Sequence, residues 1–448
     1  MSDAGARAKH VSTAEAARAA RIASRQLAKL SAEARNRALL AIAEKYKKEQ
    51  DRILRANEED CREGEALVRS GKMSAAVLAR LRISEAGIRE MAKKLREVAG
   101  LPDPLGKRLA VTELDEGLVL YKETCPLGVV AVVFESRPEV VPQVASLALK
   151  SGNAILLKGG AEAARSNEIL VELWKDALRE LPEVPEDSLQ LLQSRADAME
   201  LLQLDGQVDL LIPRGGKEFV EHVSRNSRIP VLGHGEGVCH VYVDAAADLQ
   251  KALAIALDAK TEYPAACNSA ETLLVHRTIA REFLPLVISQ LQKAGVEVRG
   301  CPRVVALAGN AAVKPAHEKD WATEYSDLIL SIKVLDNLEE AIEHIHRYGT
   351  RHTEAIVTED AGAARKFLEE VDAAGVFHNA STRFADGYRY GLGSEVGISN
   401  AKLHARGPMG MEGLTTYKYK LIGNGHVVAD YSAGRKSFHH KRLPQDFD

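Results

Sequence analysis

The chain predicts an α/β fold with a doubly wound, mainly parallel sheet domain, a second α/β domain and a small β extension. Three observations indicate it. After Gly128, short continuous apolar runs alternate with helical stretches, as in parallel strands covered on both faces. A second series of the same kind starts near Asp248, and two further segments have strand, turn and strand patterns. With 448 residues, 46% of them hydrophobic, the chain can bury more than one core.

The N-terminal part is predicted to be helical and to lead into a hairpin. Between residues 12 and 99, Ala, Arg, Leu, Glu and Lys dominate, with apolar residues at helical spacing. Pro102 and Pro104 end this block. The next segment, Arg108–Lys122, alternates around the turn residues Asp115–Gly117, which predicts two short antiparallel strands.

The first alternating series predicts a dinucleotide-type domain. Its expected strands are Val129–Phe134, Ala154–Leu157, Ser188–Leu192, Val208–Ile212 and Ile229–Leu232. Helical stretches separate these strands, so the strands are expected to pair in parallel with helices on both faces.

The second series predicts another α/β domain. Its expected elements are the helices Leu249–Lys260 and Thr278–Lys293 and the strands Thr272–His276, Ile329–Val334, Ala355–Thr358 and Gly375–His378. The tail, Thr416–Tyr431, is strand-like on both sides of Gly423-Asn424-Gly425. The predicted ranges are 1–107 for N-terminal helices of the first domain, 108–124 for the hairpin of the β extension, 125–247 for the dinucleotide-binding domain, 248–413 for the second domain and 414–448 for the C-terminal strands of the extension.

Composition and charge exclude several classes of protein. The formal net charge is −3, from 60 Lys and Arg against 63 Asp and Glu, which lacks the basic excess of a nucleic-acid-binding protein. The N-terminus has no apolar targeting segment, and the longest strongly apolar run, Gly128–Phe134, is far too short to span a membrane. We therefore expect a cytoplasmic enzyme.

Cys267 is the candidate nucleophile among the five cysteines. It follows a proline and two alanines on a loop before an apolar strand, so its sulfur is uncrowded and can attack a carbonyl carbon. Free cysteine is more often a small buried hydrophobe, which is the alternative interpretation of Cys267. Cys61 falls among the charged residues of a predicted helix, and Cys125 and Cys301 each precede a proline at a turn. Cys239 begins an apolar strand, where a thiol usually serves packing. No Cys-x-x-Cys pair occurs, so the pattern indicates neither a zinc site nor a disulfide framework.

Two predicted strands end in a cation followed by glycines. Lys158 precedes Gly159, and Arg214 precedes Gly215-Gly216, where a helix is expected to begin. Helix N-termini and glycine backbones favour phosphate, and the cations add charge. A lone strand-end lysine is more often a solvated surface residue, but the glycines favour cofactor binding. No Gly-x-Gly-x-x-Gly motif follows a predicted strand, and Gly391–Gly397 has the wrong spacing for one.

Several segments resemble the aldehyde dehydrogenase superfamily, and the resemblance covers nearly the whole chain. It is carried by Cys125–Val140, the glycine-rich bend Leu232–Val238, the run Thr261–Val275 and the segment His378–Gly387. The resemblance implies that family's fold, a nicotinamide cofactor and homo-oligomers formed through the β extension. Hydrolytic members carry a glutamate base where this chain has Gly233. A thioester made on Cys267 would then lack the group that activates water.

The resemblance also assigns roles to single residues. Glu324 begins a strand where the family has a glutamate that holds the nicotinamide ribose. Ser136 replaces the family's oxyanion-stabilising asparagine, and Asn268 and the backbone N–H of Cys267 are further candidates for that role. Arg137 offers a charged fork suited to phosphate or carboxylate, with a surface arginine as the alternative interpretation.

The substrate's other end has its own candidates. Ser381, Thr382 and Arg383 resemble an anchor for an amino-acid group, although turn capping explains the serine and threonine equally well. The role of His234, in the glycine bend, stays open.

These assignments imply reduction of an amino acid's acyl phosphate through a thioester on Cys267. We expect NADPH as the cofactor, because Lys158 ends its strand and the first acid, Glu162, lies inside the next helix. The expected partners are the small-molecule substrate, further copies of the chain and, transiently, the kinase that makes the acyl phosphate. Nucleic acid, membrane and metal are not expected.

The sequence is also compatible with two alternative functions. The first is an oxidative aldehyde dehydrogenase acting on a small aldehyde, for which Glu236 is the nearby candidate base. The second is a non-redox scaffold that kept the fold after losing catalysis. The complete cysteine loop beside a cofactor-type turn argues against the scaffold.

Overall fold

The computed structural model describes residues 12–233, 235–309 and 312–447, so residues 1–11 of the predicted N-terminal range and His234 lie outside the described residues. The described helices are α1 (Thr13–Leu27), α2 (Ala32–Lys48), α3 (Gln50–Arg69), α4 (Ala75–Leu81), α5 (Glu85–Gly100), α6 (Val140–Lys150), α7 (Ala164–Arg179), α8 (Arg195–Leu201), α9 (Lys217–Asn226), α10 (Leu249–Thr261), α11 (Arg277–Lys293), α12 (Pro302–Leu307), α13 (Leu338–Tyr348), α14 (Ala361–Glu370) and α15 (Val428–Ser432). The strands are β1 (Arg108–Asp115), β2 (Leu118–Pro126), β3 (Val129–Phe134), β4 (Ala154–Lys158), β5 (Leu189–Leu192), β6 (Leu210–Arg214), β7 (Cys239–Val243), β8 (Ala270–His276), β9 (Glu297–Gly300), β10 (Lys314–Pro315), β11 (Ile329–Leu335), β12 (Thr353–Val357), β13 (Gly375–His378), β14 (Gly397–Ser399), β15 (Gly407–Met409), β16 (Thr415–Ile422) and β17 (Lys441–Leu443).

The first sheet has four parallel strands in the order β5-β4-β3-β6. Every residue of β3 and β4 is buried. The N-terminal helices α1, α2 and α5, together with α6 and α7, contribute to the same apolar core as these strands. Strands buried on both faces have continuous apolar sequences, which is why the sequence pattern located β3 and β4 closely.

The second sheet has seven parallel strands in the order β10-β9-β11-β8-β7-β12-β13. One face packs against α10, α11 and α12, and the other against α13 and α14. The predicted strand Gly375–His378 coincides with β13. Both sheets therefore have the doubly wound arrangement that the alternating series predicted.

The chain changes from one sheet to the other earlier than predicted. β7 pairs with β8 and β12 in the second sheet, so the change falls between β6 and β7 and upstream of residue 247. The predicted strand Ile229–Leu232 is wrong, since this segment forms only an isolated bridge between Leu211 and Val231. It is already leaving the first sheet and has no second neighbour with which to extend a ladder.

The β extension is an antiparallel sheet in the order β16-β2-β1-β17. The hairpin of β1 and β2 is confirmed, and so is a strand before Gly423. The predicted strand after Gly425 is wrong, because Val428–Ser432 is helical and β1 pairs instead with Lys441–Leu443. A five-residue segment has no period strong enough to distinguish the two structures. Seven of the eight residues of the edge strand β16 are exposed.

Within the described part of the chain, none of the helices combines the length and the apolarity that crossing a membrane requires.

Candidate active site

Cys267 lies on a tight loop between the end of α10 and the start of β8. Backbone hydrogen bonds from Ala266 to Tyr263 and from Ser269 to Ala266 close the loop on both sides of the cysteine. The glycine bend presses against it from the other side. An ideal Cβ built on Gly237 would lie 1.8 Å from the Cys267 carbonyl oxygen, so only glycine fits there. The Cys239 thiol donates to that same carbonyl oxygen at 3.3 Å.

The environment of Cys267 favours the protonated thiol. Burial raises its pKa to about 12, and the negative charges of Glu395 and Glu324 add to the shift. The backbone N–H of Cys267 and the guanidinium of Arg383 act in the opposite direction. The Cys267 thiol therefore ionises more readily when a positive charge is added beside it, or when the negative charge of Glu395 or Glu324 is removed.

Glu395 is a site residue that sequence reasoning missed. It lies inside Gly391–Gly397, whose glycines have the wrong spacing for a dinucleotide-binding motif and predicted no function for the segment. Its Oε2 accepts the backbone N–H of Gly387 at 2.9 Å. Burial raises the pKa of Glu395, whereas that N–H and the charge of Arg214 lower it. A lone glutamate among glycines carries no local sequence signal, and only the fold brings it to the nucleophile.

The turn after β3 holds Ser136 in an unusual conformation. Its φ is +38°, in the left-handed region that a non-glycine residue adopts at a cost. Its backbone N–H and hydroxyl both donate to Glu162 Oε1, at 2.8 and 2.5 Å. Glu162 therefore folds back over Gly160, towards the strand end where the sequence predicted no carboxylate.

The same turn presents Arg137, which is half-buried. Among the described residues its guanidinium has no hydrogen bond or ion pair. The structure brings it together with Arg214 at the end of β6, since its charge lowers the pKa of Arg214. Burial is the largest cause of that lowering, and Glu395 opposes it. Arg214 Nη1 donates to Gln143 Oε1 at 3.5 Å.

Lys158 ends β4, away from this pair, and its side chain is buried. Its ammonium donates to the Gly159 carbonyl, and burial lowers its pKa while Glu162 raises it. An added Cβ on Gly159 would meet Asn167 Nδ2 at 2.2 Å, so the backbone there must be bare.

The second glycine turn, Gly215-Gly216, is exposed and opens α9. A buried ammonium at one strand end and bare backbone at another fit the phosphate and ribose groups of a dinucleotide. A nicotinamide cofactor is therefore compatible with the residues present.

Glu324 fastens the glycine bend. Its Oε2 accepts the backbone N–H of Gly237 at 3.0 Å, which is the point where the bend meets Cys267. Beneath it, Ser326 N donates to Glu271 Oε1 at 3.3 Å. Glu324 thus lies next to the loop that carries Cys267.

The predicted substrate anchor also reaches the nucleophile. Arg383 is buried, and its Nε donates to Glu262 Oε2 at 2.7 Å. Thr382 Oγ1 is buried and has no hydrogen-bond partner among the described residues. Ser381 Oγ accepts the Arg383 N–H at 3.3 Å, which is a capping contact. Sequence reasoning missed Glu262, which also accepts from Arg389 at 2.8 Å.

Asn268 is buried next to the nucleophile. Its Nδ2 donates to the Ala385 carbonyl at 2.9 Å, and its Oδ1 has no partner among the described residues. This contact ties the nucleophile loop to the Ser381–Arg383 segment. One N–H of its amide remains to serve an oxyanion.

Comparison with known proteins identifies the class. A family model described as the aldehyde dehydrogenase family matches residues 4–303. The chain belongs to the aldehyde dehydrogenase family, and the predicted resemblance and the α/β fold are confirmed.

Within that family, the chain is similar to proteins named gamma-glutamyl phosphate reductase. One from Synechococcus sp. (strain JA-3-3Ab) is 55% identical over 423 residues, or 94% of this chain and 92% of its own length. One from Cyanothece sp. (strain PCC 7425) is 54% identical over 434 residues, or 97% of this chain and 98% of its own length. The crystal structure of the Thermotoga maritima protein of that name is 43% identical, with a TM-score of 0.89 over 93% of this chain and 99% of that one.

Proposed function

We propose that this protein reduces L-glutamyl 5-phosphate to L-glutamate 5-semialdehyde and phosphate, with NADPH as reductant, in proline biosynthesis. The observation that carries the proposal is the site itself. Arg214 is influenced by the charges of both Cys267 and Arg137, and the position of the hydrolytic base is occupied by Gly233. The relatives named above are similar over nearly the whole chain and support the same reaction.

The covalent step is nucleophilic substitution at the acyl carbon. Cys267 attacks as the thiolate. Its sulfur forms a bond to that carbon, the carbon–oxygen bond to phosphate breaks, and phosphate leaves with the electron pair and takes up the proton that the thiol has lost. Arg137 stabilises the departing charge. The backbone N–H of Cys267, with Ser136 or Asn268, holds the oxyanion. Ser136 must first turn its hydroxyl away from Glu162, which favours Asn268.

The cofactor would be held at the edge of the first sheet. Lys158 and Gly159 lie at one strand end, Gly215-Gly216 at another, and Glu324 at the nicotinamide end. NADPH, when bound, supplies the hydride that converts the thioester to the aldehyde. Because no carboxylate stands at Gly233, the thioester is protected from water until it is reduced.

The amino-acid end of the substrate would contact Arg383, Thr382 and Ser381. The Arg383 guanidinium uses its Nε for Glu262 and keeps its two terminal nitrogens for a carboxylate. The buried, unpartnered hydroxyl of Thr382 provides a further polar contact.

We further propose that the enzyme is a cytoplasmic homo-oligomer. The edge strand β16 exposes Tyr417, Tyr419, Leu421 and Ile422, an apolar surface on an unpaired strand edge. Such an edge is normally covered by another chain. A transient contact with glutamate 5-kinase, which makes the acyl phosphate, would shorten the path of a reactive substrate.

The decisive experiment runs the reaction backwards. With glutamate 5-semialdehyde and NADP⁺, we expect NADP⁺ reduction only when inorganic phosphate is present. Phosphate-independent reduction that yields glutamate would contradict the proposal and support an oxidative aldehyde dehydrogenase, with Glu236 as its base.

A further inference from the structure

We propose that Arg214 binds the phosphoryl group of the acyl phosphate beside Arg137, and does not bind the cofactor; this rests on the proposed function. The sequence grouped Arg214 with Lys158 because both residues end a parallel strand before glycines. The order of the strands separates them.

The strand order of the first sheet places Arg214 and Lys158 on opposite sides of β3. Arg214 pairs with Phe134 of β3, and Lys158 pairs with Val133 on the opposite side of the same strand. Neighbouring strands lie about 4.8 Å apart, so the backbones of the two cations are about 10 Å apart with β3 between them. Arg137, three residues after Phe134, leaves β3 at the edge where Arg214 ends β6.

Packing joins Arg214 to the nucleophile loop. The preceding residue, Pro213, lies 3.5 Å from an ideal Cβ on Gly233, in the glycine bend. The other end of that bend, Gly237, abuts the Cys267 carbonyl. The negative charge of an ionised Cys267 raises the pKa of Arg214, whereas the charges that raise the pKa of Lys158 are those of Glu162 and Asp197.

Among the described residues, neither Arg137 nor Arg214 has a carboxylate in contact with its guanidinium. Arg214 has one long hydrogen bond, to the neutral Gln143, and neither arginine has an ion pair within 4 Å among the described residues. The charges of Glu395 and, more weakly, Glu139 raise the pKa of Arg214, but neither carboxylate forms an ion pair with it within 4 Å. Partly buried guanidiniums without counter-ions are costly unless an anion joins them.

A phosphoryl group meets these requirements. It carries up to two negative charges, and planar guanidinium forks bind its oxygens bidentately. As the sulfur–carbon bond forms and the carbon–oxygen bond breaks, charge accumulates on the phosphate oxygen that leaves. Two forks at that oxygen stabilise the departing phosphate more than the bound substrate, which is what accelerates the step.

Alkylation of Cys267 tests the charge without relying on the substrate. Iodoacetate is anionic and iodoacetamide is neutral, so the ratio of their rates reports the local potential and cancels the thiolate fraction. We expect Arg214→Gln to lower that ratio about fivefold to tenfold, as for loss of one nearby charge. The exposed Arg225→Gln, which pairs with Glu221 on α9, is the matched control.

Kinetics and binding then separate the two possible roles. In the reverse assay, Arg214→Gln should raise the KM for phosphate about tenfold or more, and Arg214→Lys should restore part of it. The Kd for NADPH, measured by fluorescence, should change less than about twofold. A large loss of NADPH affinity with an unchanged KM for phosphate would overturn the proposal, as would no change in either quantity. If the wild-type enzyme shows no phosphate dependence, the proposed function fails, while the alkylation ratio still decides whether an anion site exists.

Discussion

The two parallel sheets keep their polar groups in different places. In the four-stranded sheet the strand interiors are apolar, and the charges stand at the carboxyl ends, on Lys158 and Arg214. In the seven-stranded sheet, ionisable side chains are buried inside. His240 and Glu354 face each other at 2.9 Å, and Lys260 and Glu271 at 2.6 Å, all four fully buried.

The Lys260–Glu271 pair lies next to the loop that carries Cys267. Lys260 is near the end of α10, and Glu271 is the second residue of β8, so their ion pair joins the two elements that flank Cys267. Burial lowers the pKa of Lys260 and raises that of Glu271. Burying an ion pair costs desolvation free energy, but the pair holds its two elements in a fixed geometry. The first sheet therefore has an apolar interior with charged groups at its edge. In the second, a buried ion pair that costs stability fixes the two elements on either side of the Cys267 loop.

The sharpest test of this division is the nucleophile itself. Cys267→Ala should reduce turnover by about 10⁴-fold or more, because the thioester cannot form. NADPH should still bind, since its proposed contacts lie mainly at the edge of the first sheet. Cys61→Ala and Cys301→Ala are the controls and should leave activity nearly intact. A Cys267→Ala enzyme with a substantial rate would eliminate the covalent mechanism.

The buried ion pair should matter strongly when only one partner is removed. Lys260→Met leaves the Glu271 carboxylate buried and unpaired, so we expect the free energy of unfolding to fall by about 3–5 kcal/mol. The double variant Lys260→Met/Glu271→Leu should recover most of that loss. Urea denaturation of the wild-type protein, the single variants Lys260→Met and Glu271→Leu, and the double variant gives the coupling energy. Additive losses in the double variant would mean that the pair is not a unit.

Cofactor choice tests the edge of the first sheet. Lys158→Ala should raise the KM for NADPH about tenfold or more and that for NADH much less, because a charge-assisted contact with the 2′-phosphate is lost. Glu162→Gln should act in the opposite direction and favour NADPH further. Equal effects on both cofactors would show that Lys158 does not contact the 2′-phosphate.

The smallest expected effect concerns the charge beside the thiol. A neighbouring carboxylate disfavours the thiolate, so Glu395→Gln should lower the pKa of Cys267 from about 12 and increase the thiolate fraction at any pH below it. At pH 9, alkylation by iodoacetamide should become about threefold to tenfold faster. In the wild-type enzyme without ligands the rate should keep rising to pH 10. A plateau below pH 9 would contradict a Cys267 pKa of about 12.

The sequence predicted the parts of the molecule whose information is local. Continuous apolar runs located β3 and β4, whereas the small residues around Cys267 predicted an uncrowded thiol on a residue that is half-buried in the structure. What it could not supply was which elements become neighbours. The order of strands separates Arg214 from Lys158, and long-range pairing brings Lys441–Leu443 rather than Val428–Ser432 to β1.

The same reason explains the missed site residues. Glu262 lies in the same run as Cys267, but its partner Arg383 is 121 residues further along the chain, and Glu395 is held by Gly387 in that same distant part of the chain. Periodicity and turn chemistry describe neighbours in sequence, and these contacts depend on neighbours in space.

The two ends of the glycine bend differ in whether they can accept a side chain. A side chain at position 237 would collide with the Cys267 carbonyl, so that position is closed to every other amino acid. Position 233 is different, since an added Cβ there makes only ordinary contacts of 3.5 Å and longer with Pro213. The Cβ of another residue therefore fits at 233 without moving the bend. If the thioester forms on Cys267, we expect Gly233→Glu to supply a base that activates water and so to turn reduction of the acyl group into its hydrolysis.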